Sequence, residues 1–434
     1  MSAGYADTAG ELHGPGQAAP YIFRDDGELV WSGYGYYSIW AAPRRHTGMA
    51  RTLRAGNHKL SDKHEFHAIN EETALIQIYQ PVPADLTPWG ASPEQQRIVD
   101  AIIQGILTFK TGELLFEWSS LEHVSPDEAI LPINPGQAGS GYNSSDAWDY
   151  FRINSVDKDS VGNYLISARD ACSVHKINGS TGEAIWRLGG VKSDFELGDN
   201  VKFCFQHHAR FVSKEGSKEV ISLYDNAAHG TEHGHVHEVH AHPLSQATAV
   251  QAFQPPDGLL SKSQGSTQLL PNGNVLVNWG SEGALTEYRA DGTPIFHTYM
   301  DSGFLGLGVE NYRGFRYNWT GLPNEAPAIV SLENDKGTTV YASWNSDTEI
   351  KLWHFFHLVD GYGSRQLLGE VERKGFETSL FVKDRGLGLV AAEAVGDNGR
   401  VSSSGPPSNA PTYILYGENG EQYMILKVNR FDLK

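Results

Sequence analysis

The sequence predicts an all-β protein: a β-propeller of about six blades, the first abbreviated, followed by a C-terminal fibronectin-III/immunoglobulin-like β-sandwich. Three observations point to it. Residues 148–190 read as four short strands in a row, with period-2 alternation and turns of Gly, Asn and Asp. That pattern makes an antiparallel meander the size of one blade, and variations on it recur along the chain. The composition holds 47 Gly, 10 Trp, 19 Tyr and 18 Phe with little sustained helical periodicity, which favours strands and turns. Beyond residue 323 the rhythm changes to seven strand-like segments over roughly ninety residues, the count of a sandwich.

Taken in order, residues 1–19 are Gly/Ala-rich and read as a flexible tail. Residues 20–322 form the expected propeller. Outer hairpins are marked by a Gly turn, an acidic or small residue and then an apolar strand closed by Trp or Phe. The segments are YIFRDDGELVWSG, FKTGELLFEWSS, INGSTGEAIWRLGG and, weakened, YRADGTPIFHT. Inner hairpins are HEFHAINEETALIQIY, FRINSVDKDSVGNYLISAR, QHHARFVSKEGSKEVISLYDN and SQGSTQLLPNGNVLVNWG, each opening with polar side chains. The first strand of a blade lines the central channel, so these polar openings should converge on one end of it. Two insertions interrupt the pattern. Residues 81–105 contain the best helical candidate, from about Pro93 to Gly105, and residues 227–242 carry a His-rich tract. Residues 323–410 are the expected sandwich, with Trp344 and Trp353 in its second and third segments. The closing strands of the ring are assigned to the final hairpin, within 411–434.

Charge and motifs exclude several classes. Lys plus Arg is 34 against 52 Asp plus Glu, a net charge of −18. That argues against nucleic-acid binding, which needs clustered cations to neutralise phosphates, and against anionic membrane surfaces. No run of about 20 apolar residues marks a transmembrane segment. The N-terminus has neither the basic nor the apolar region of a signal peptide, which leaves the compartment open. No phosphate-binding loop, dinucleotide fingerprint, nucleophile elbow or zinc motif is present, and no cofactor is expected. For Cys172 and Cys204, in neighbouring strand-like segments, two buried thiols are favoured, with a bridge between adjacent blades as the alternative. The His229–His242 tract reads as a solvated loop, although alternate histidines on one strand face suit a metal.

The remaining chemistry lies in a funnel of cations and imidazoles. Arg152, His207 and His64 open inner strands and are the catalytic candidates. Asp170, His208, Arg210, Gln264, Trp279, Tyr312 and Arg313 are the substrate-binding candidates. Each has a plainer reading: Arg152 paired with Asp149 or Asp170, one of His207 and His208 packed against a neighbouring blade, and Trp279 in a blade core.

The stretches DGELVWSG, TGELLFEWSSLEHV, WDYFRINSVDKDSVGNYLISAR, INGSTGEAIWRLGGVKSDF, QHHARF and LPNGNVLVNWG resemble the arylsulfotransferase-like β-propeller family, in its fungal branch. The resemblance runs from about residue 21 to 395. It implies a propeller joined to a sandwich, a secretory route, and sulfate transfer between phenols through a histidine at the channel centre. Two positions depart from the family pattern. Arg152 stands in DYFRINS and Asp170 in SARDA, where histidines are typical, and a guanidinium has no free lone pair to carry a sulfuryl group. The chain also resembles in kind the cofactor-free hetero-Diels–Alderases of tropolonic sesquiterpene biosynthesis. On that resemblance the leading expectation is a cyclase joining an aromatic quinone methide to a hydrophobic alkene, with Arg152 on the tropolone oxygens. The alternatives are an arylsulfotransferase using His207 or His64, and a non-catalytic ligand-binding propeller.

Overall fold

The computed structural model describes residues 2–5, 19–33, 55–69, 73–107, 111–134, 137–198, 201–226, 235–242, 246–300, 309–321, 323, 325–359, 364–396, 401–404, 408–409, 415–416 and 422–423. Strand dominates, and the longest helix among them is one four-residue turn, Ser120–His123. The described residues fall into two compact units. Unit one takes those up to Pro20 and those from Gly33 to Tyr317; unit two takes Tyr21–Ser32 and those from Asn318 on.

The chain opens with β1 (Ser2–Tyr5), β2 (Ala19–Phe23) and β3 (Leu29–Ser32). Residues 2–5 are therefore a strand, a correction to the expected tail: their backbone groups pair with Ala19, Pro20 and a later strand whatever their side chains. The next sheet runs in chain order, β4 (Phe66–Ile69), β5 (Thr73–Pro83), β6 (Arg97–Leu107) and β7 (Leu114–Ser119). Strand β6 replaces the expected helix. Its Ile98, Val99, Ile102, Ile103 and Ile106 are β-branched and buried, and it pairs with β5 along its whole length. A third sheet holds β8 (Ile153–Lys158), β9 (Tyr164–Ala168), β10 (Ser173–Ile177) and β11 (Ala184–Gly189).

The fourth sheet comprises β12 (Glu196–Leu197), β13 (His207–Glu215), β14 (Lys218–Asp225), β15 (His235–His242) and β16 (Gln246–Phe253), with β12 parallel to β16. Strand β15 is the C-terminal half of the His-rich tract. Contrary to the expected loop, it is an interior strand, paired on both sides by β14 and β16. Residues 227–234 lie outside the described residues. The fifth sheet is β17 (Ser266–Leu269), β18 (Val275–Asn278), β19 (Ala284–Tyr288) and β20 (Pro294–Tyr299). Strand β21 (Val309–Asn311) then pairs with β1. It supplies the pairing expected of residues 411–434, which contribute β30 (Leu415–Tyr416) and β31 (Gln422–Tyr423), paired with each other. Ahead of residue 318 the described residues thus hold five sheets of at least four strands.

Consecutive sheets pack face to face through apolar clusters. Leu75 and Ile103 meet Ile153, Val156 and Ile166; Leu165, Val174 and Leu188 meet Ile221 and Leu223; Tyr224 and Phe253 meet Val275, Val277 and Trp279. The tryptophans of the outer hairpins tie neighbours together, as Trp118 Nε1 donates to Gly182 O at 3.0 Å and Trp186 Nε1 to Glu219 Oε2 at 3.1 Å.

The inner strands of different sheets are joined polar group by polar group. Gln77 donates to Ile153 O (2.8 Å), Ala209 N to Ser155 Oγ (2.9 Å), Thr267 N to His208 Nδ1 (3.3 Å) and Asn278 Nδ2 to Asn311 O (2.6 Å). Bonds also cross between sheets that are not consecutive: Arg210 Nη2 to Glu65 at 2.6 Å, and Arg313 Nη2 to Asn154 O at 2.9 Å. First strands therefore converge on one axis, which is where the polar openings gather.

Unit two contains the β2–β3 hairpin residues Tyr21–Ser32 and two sheets. One is β22 (Ala328–Asn334), β23 (Gly337–Ser343) and β26 (Glu377–Val382). The other is β25 (Arg365–Glu372), β24 (Ile350–Leu358), β27 (Leu389–Gly396) and β28 (Val401–Ser404), with β29 (Ser408–Asn409) on β27. Both share one core, in which Ile329, Val340 and Ala342 meet Trp353, Phe355, Val390 and Ala392.

Candidate functional site

The turns that open the first strands carry unusual backbone. Arg152, Phe205, His208 and Gln264 have φ of 51°, 56°, 58° and 65°, a left-handed conformation rare for residues with a Cβ. It turns the chain sharply just before or at the starts of β8, β13 and β17.

Around Arg152 the charges are interleaved. Its backbone N–H donates to Asp149 Oδ1 at 3.0 Å, its Nη1 donates to Gln137 O at 3.0 Å, and Nη1 lies 3.9 Å from Asp170 Oδ2. The side chain is 32 % exposed, whereas Asp170 is fully buried. Asp170 Oδ1 is bound at 2.5 Å by Arg169 Nη1, and the Arg169 guanidinium lies 4.7 Å over the Phe205 ring. Burial and the neighbouring Asp170 push the Asp149 carboxyl up to about 7, against the opposing charge of Arg152. Burial likewise raises Asp170, although Arg169 and Arg152 work the other way. Burial disfavours charge on Arg152, but Asp170 and Asp149 outweigh it and raise its pKa.

His207 is buried, and its Nδ1 contacts Asn226 Oδ1 at 2.6 Å. Asn226 spends its Nδ2 hydrogens on Ser261 O and Gln264 O, at 3.2 and 3.1 Å, so its Oδ1 is the acceptor. Nδ1 of His207 therefore carries the proton and Nε2 the lone pair. Burial, then the charges of Arg313 and Arg169, hold this imidazole well below its usual pKa, so it is neutral near pH 7.

His64 sits beside them on the turn before β4. Its Nδ1 and its backbone N–H both bind Asp62 Oδ1, the latter at 2.8 Å. Its ring centroid lies 5.4 Å from that of Tyr79 and 5.8 Å, edge-on, from that of Tyr312. The Tyr79 hydroxyl donates to Ile153 O, whereas the buried Tyr312 hydroxyl has no hydrogen-bond partner among the described residues.

Arg152, His64, His207, Asp170 and Tyr312 are thus brought together. Gln264 borders them through its carbonyl oxygen, which accepts from Asn226 Nδ2, the partner of His207, at 3.1 Å. The other candidates are placed elsewhere, each for a physical reason. Trp279, expected on the rim, is fully buried in the fifth sheet's core, its indole N–H on Thr286 Oγ1 at 2.7 Å. Arg313 is buried, holding Gly265 O and Asn154 O across the axis. Arg210 is spent on Glu65. His208 is buried between Thr267 N and the Phe315 ring, and burial with Arg210 lowers its pKa.

Sequence reasoning missed Asp62, Arg169 and Asn226, and treated Asp149 only as a neutralising partner. Asp62 and Arg169 lie within two residues of candidates it named. Asn226 gives no local signal, because it reaches His207 only through the β13–β14 pairing. Cys172 and Cys204 are joined in a disulfide, which corrects the favoured thiol reading. The left-handed turn at Cys172 and the turn before β13 bring their Cα atoms to 4.5 Å. Among the described residues no group of three or more His, Cys, Asp or Glu could hold a metal ion, and no helix is long and apolar enough to cross a membrane.

The sequence pattern of one family, described as Arylsulfotransferase (ASST), matches residues 18–301. No curated protein matches the chain. Among solved structures, similar chains include a protein of unknown function from Bacteroides caccae (12 % identity, 70 % of this chain and 89 % of that one, TM-score 0.27). Others are a luciferin-regenerating enzyme (9 %, 72 % and 94 %, 0.27) and the GH43 protein BlXynB from Bacillus licheniformis (8 %, 80 % and 78 %, 0.26). Likeness at this level fixes neither fold nor function.

Proposed function

This chain belongs to the arylsulfotransferase family, and from that premise we propose that it transfers a sulfuryl group between phenolic oxygens with His207 as the nucleophile. The five sheets are then blades of a propeller, the converging first strands line its channel, and the second unit is a fibronectin-III-type sandwich. One observation carries the reading: His207 presents a neutral imidazole whose Nδ1 proton is fixed by Asn226, which leaves the Nε2 lone pair for attack. Arg169 and Arg152 supply cationic donors beside it for the sulfuryl oxygens.

The test is sulfate transfer from p-nitrophenyl sulfate to a phenol by the purified protein, with nitrophenol release followed spectrophotometrically. His207→Asn should lower turnover by at least about 100-fold, the scale of losing a nucleophile's role. Undiminished transfer in that variant would remove His207 from the role.

A second reading, the cofactor-free cyclisation or hetero-Diels–Alder cycloaddition of a quinone methide with a hydrophobic alkene, is favoured by Arg152. Its guanidinium is part-exposed beside Asp149, a carboxyl poised near pH 7 to move protons. For that reaction Arg152→Ala should abolish product formation with the fold intact. Retained activity would end the role given to Arg152.

A further inference from the structure

We propose that Asp62 is a positioning residue that fixes the tautomer of His64 and makes its Nε2 the base for the acceptor hydroxyl; this rests on the transferase reading above. Asp62 is anchored by its own backbone N–H on Gln77 O at 2.8 Å. Its Oδ1 then receives His64 Nδ1, the His64 backbone N–H and Gln77 Nε2 at 3.3 Å. A carboxylate with three donors on one oxygen is an acceptor only, so the ring proton sits on Nδ1 and the lone pair on Nε2. The ionised state of Asp62 agrees with this. Burial works to raise its carboxyl, but the hydrogen bonds from the His64 ring, the His64 backbone N–H and Gln77 oppose it, and the carboxyl is held at about 2.

The surroundings fit an aromatic hydroxyl. Tyr79 and Tyr312 flank the His64 ring from two other elements, and the buried Tyr312 hydroxyl has no hydrogen-bond partner among the described residues. Asp170 and His207, from the third and fourth sheets, are near enough to sense a proton gained by the His64 ring. In the transfer step, the acceptor's O–H proton passes to His64 Nε2 and its oxygen attacks the sulfur carried on His207 Nε2. The O–S bond forms, the N–S bond breaks, and its electron pair returns to His207. His64 then passes its proton to the next departing phenolate.

Asp62→Asn keeps an acceptor oxygen for the ring and removes the charge. With a weakly acidic phenol as acceptor, turnover should fall by about 10- to 100-fold, at or below the lower end of a full general-base contribution because His64 itself remains. With a nitrophenol already ionised at the assay pH the defect should shrink towards none, and so should any defect in single-turnover release of nitrophenol from the donor, because nitrophenolate departs as the anion and needs no proton from His64. An equal loss for all acceptors would mean a merely structural role and would overturn the proposal. So would no loss for any acceptor. The nitrogen-15 spectrum of His64 gives a readout apart from turnover: the Nδ1–H tautomer is expected, and the Nε2–H tautomer would overturn the assignment. Absence of any sulfate transfer by the unaltered protein would instead bring down the transferase reading, with the tautomer still deciding what Asp62 does to His64.

Discussion

At the scale of single residues, the site is a set of charges whose states are set by burial and by one another. Asp149 is the clearest case. Its folded pKa of about 7 lies above the roughly 3.9 of an unfolded Asp, so folding favours its protonated form. The sign follows: its contribution to stability is fully present at acid pH and is lost as pH rises through about 4 to 7. Asp62 runs the other way, since its depressed pKa stabilises the fold above about 4 and loses that effect as pH falls towards 2. Asp149→Asn should therefore flatten the fall in stability between about pH 4 and 7 relative to the unaltered protein, read as denaturation midpoints across pH. Parallel profiles for the two proteins would contradict the burial of a protonated carboxyl there. Arg152 and Asp170 were legible as a pair from their positions in one inner hairpin. What was not legible is that Arg169, next in sequence, takes the closer oxygen of Asp170 and leaves Arg152 at 3.9 Å, partly exposed.

At the scale of elements, hairpins were readable because their signals are local. Gly-rich turns and period-2 alternation give the inner pairs β4–β5, β8–β9, β13–β14 and β17–β18, each of which forms as an antiparallel ladder. The segment from Pro93 misled for an equally local reason. Ile98, Ile102 and Ile106 recur every four residues and mimic a helical face, while their β-branched side chains suit the ladder that β5 offers. The disulfide works at this scale too. It ties the β9–β10 turn, next to Arg169 and Asp170, to the segment entering β13, three residues before His207. Replacing both Cys172 and Cys204 with Ser removes a cross-link spanning 32 residues and should cost about 3 kcal/mol. An unchanged guanidinium midpoint, with and without reductant, would show that the link adds nothing to stability.

At the scale of the whole molecule, distant parts of the sequence complete one another's structure. In unit two, Ser32 N donates to Asn345 Oδ1 at 3.0 Å and Asn345 Nδ2 to Ser32 O at 3.2 Å, across 313 positions, while Ser346 N donates to Val30 O at 2.8 Å. Asn345→Ala removes both side-chain bonds, which are exposed, and should lower stability by about 1 kcal/mol; calorimetry showing no change in Tm would mean that water replaces them fully. The same long-range logic separates what could be read from what could not. Alternation, turn glycines and hairpin tryptophans are properties of ten or twenty consecutive residues, so the sequence by itself determined an all-β chain of antiparallel hairpins with polar residues at the openings of the inner ones. Only the tertiary structure decided that β21 pairs with β1, and that Trp279 is core while Asn226 reaches His207. It also decided that Arg210 and Arg313 are consumed by Glu65, Gly265 and Asn154, leaving Arg152, His64 and His207 as the group that shares the site. The reason is physical: a side chain's face is fixed by its own strand, but its partner is fixed by which sheets pack around the axis.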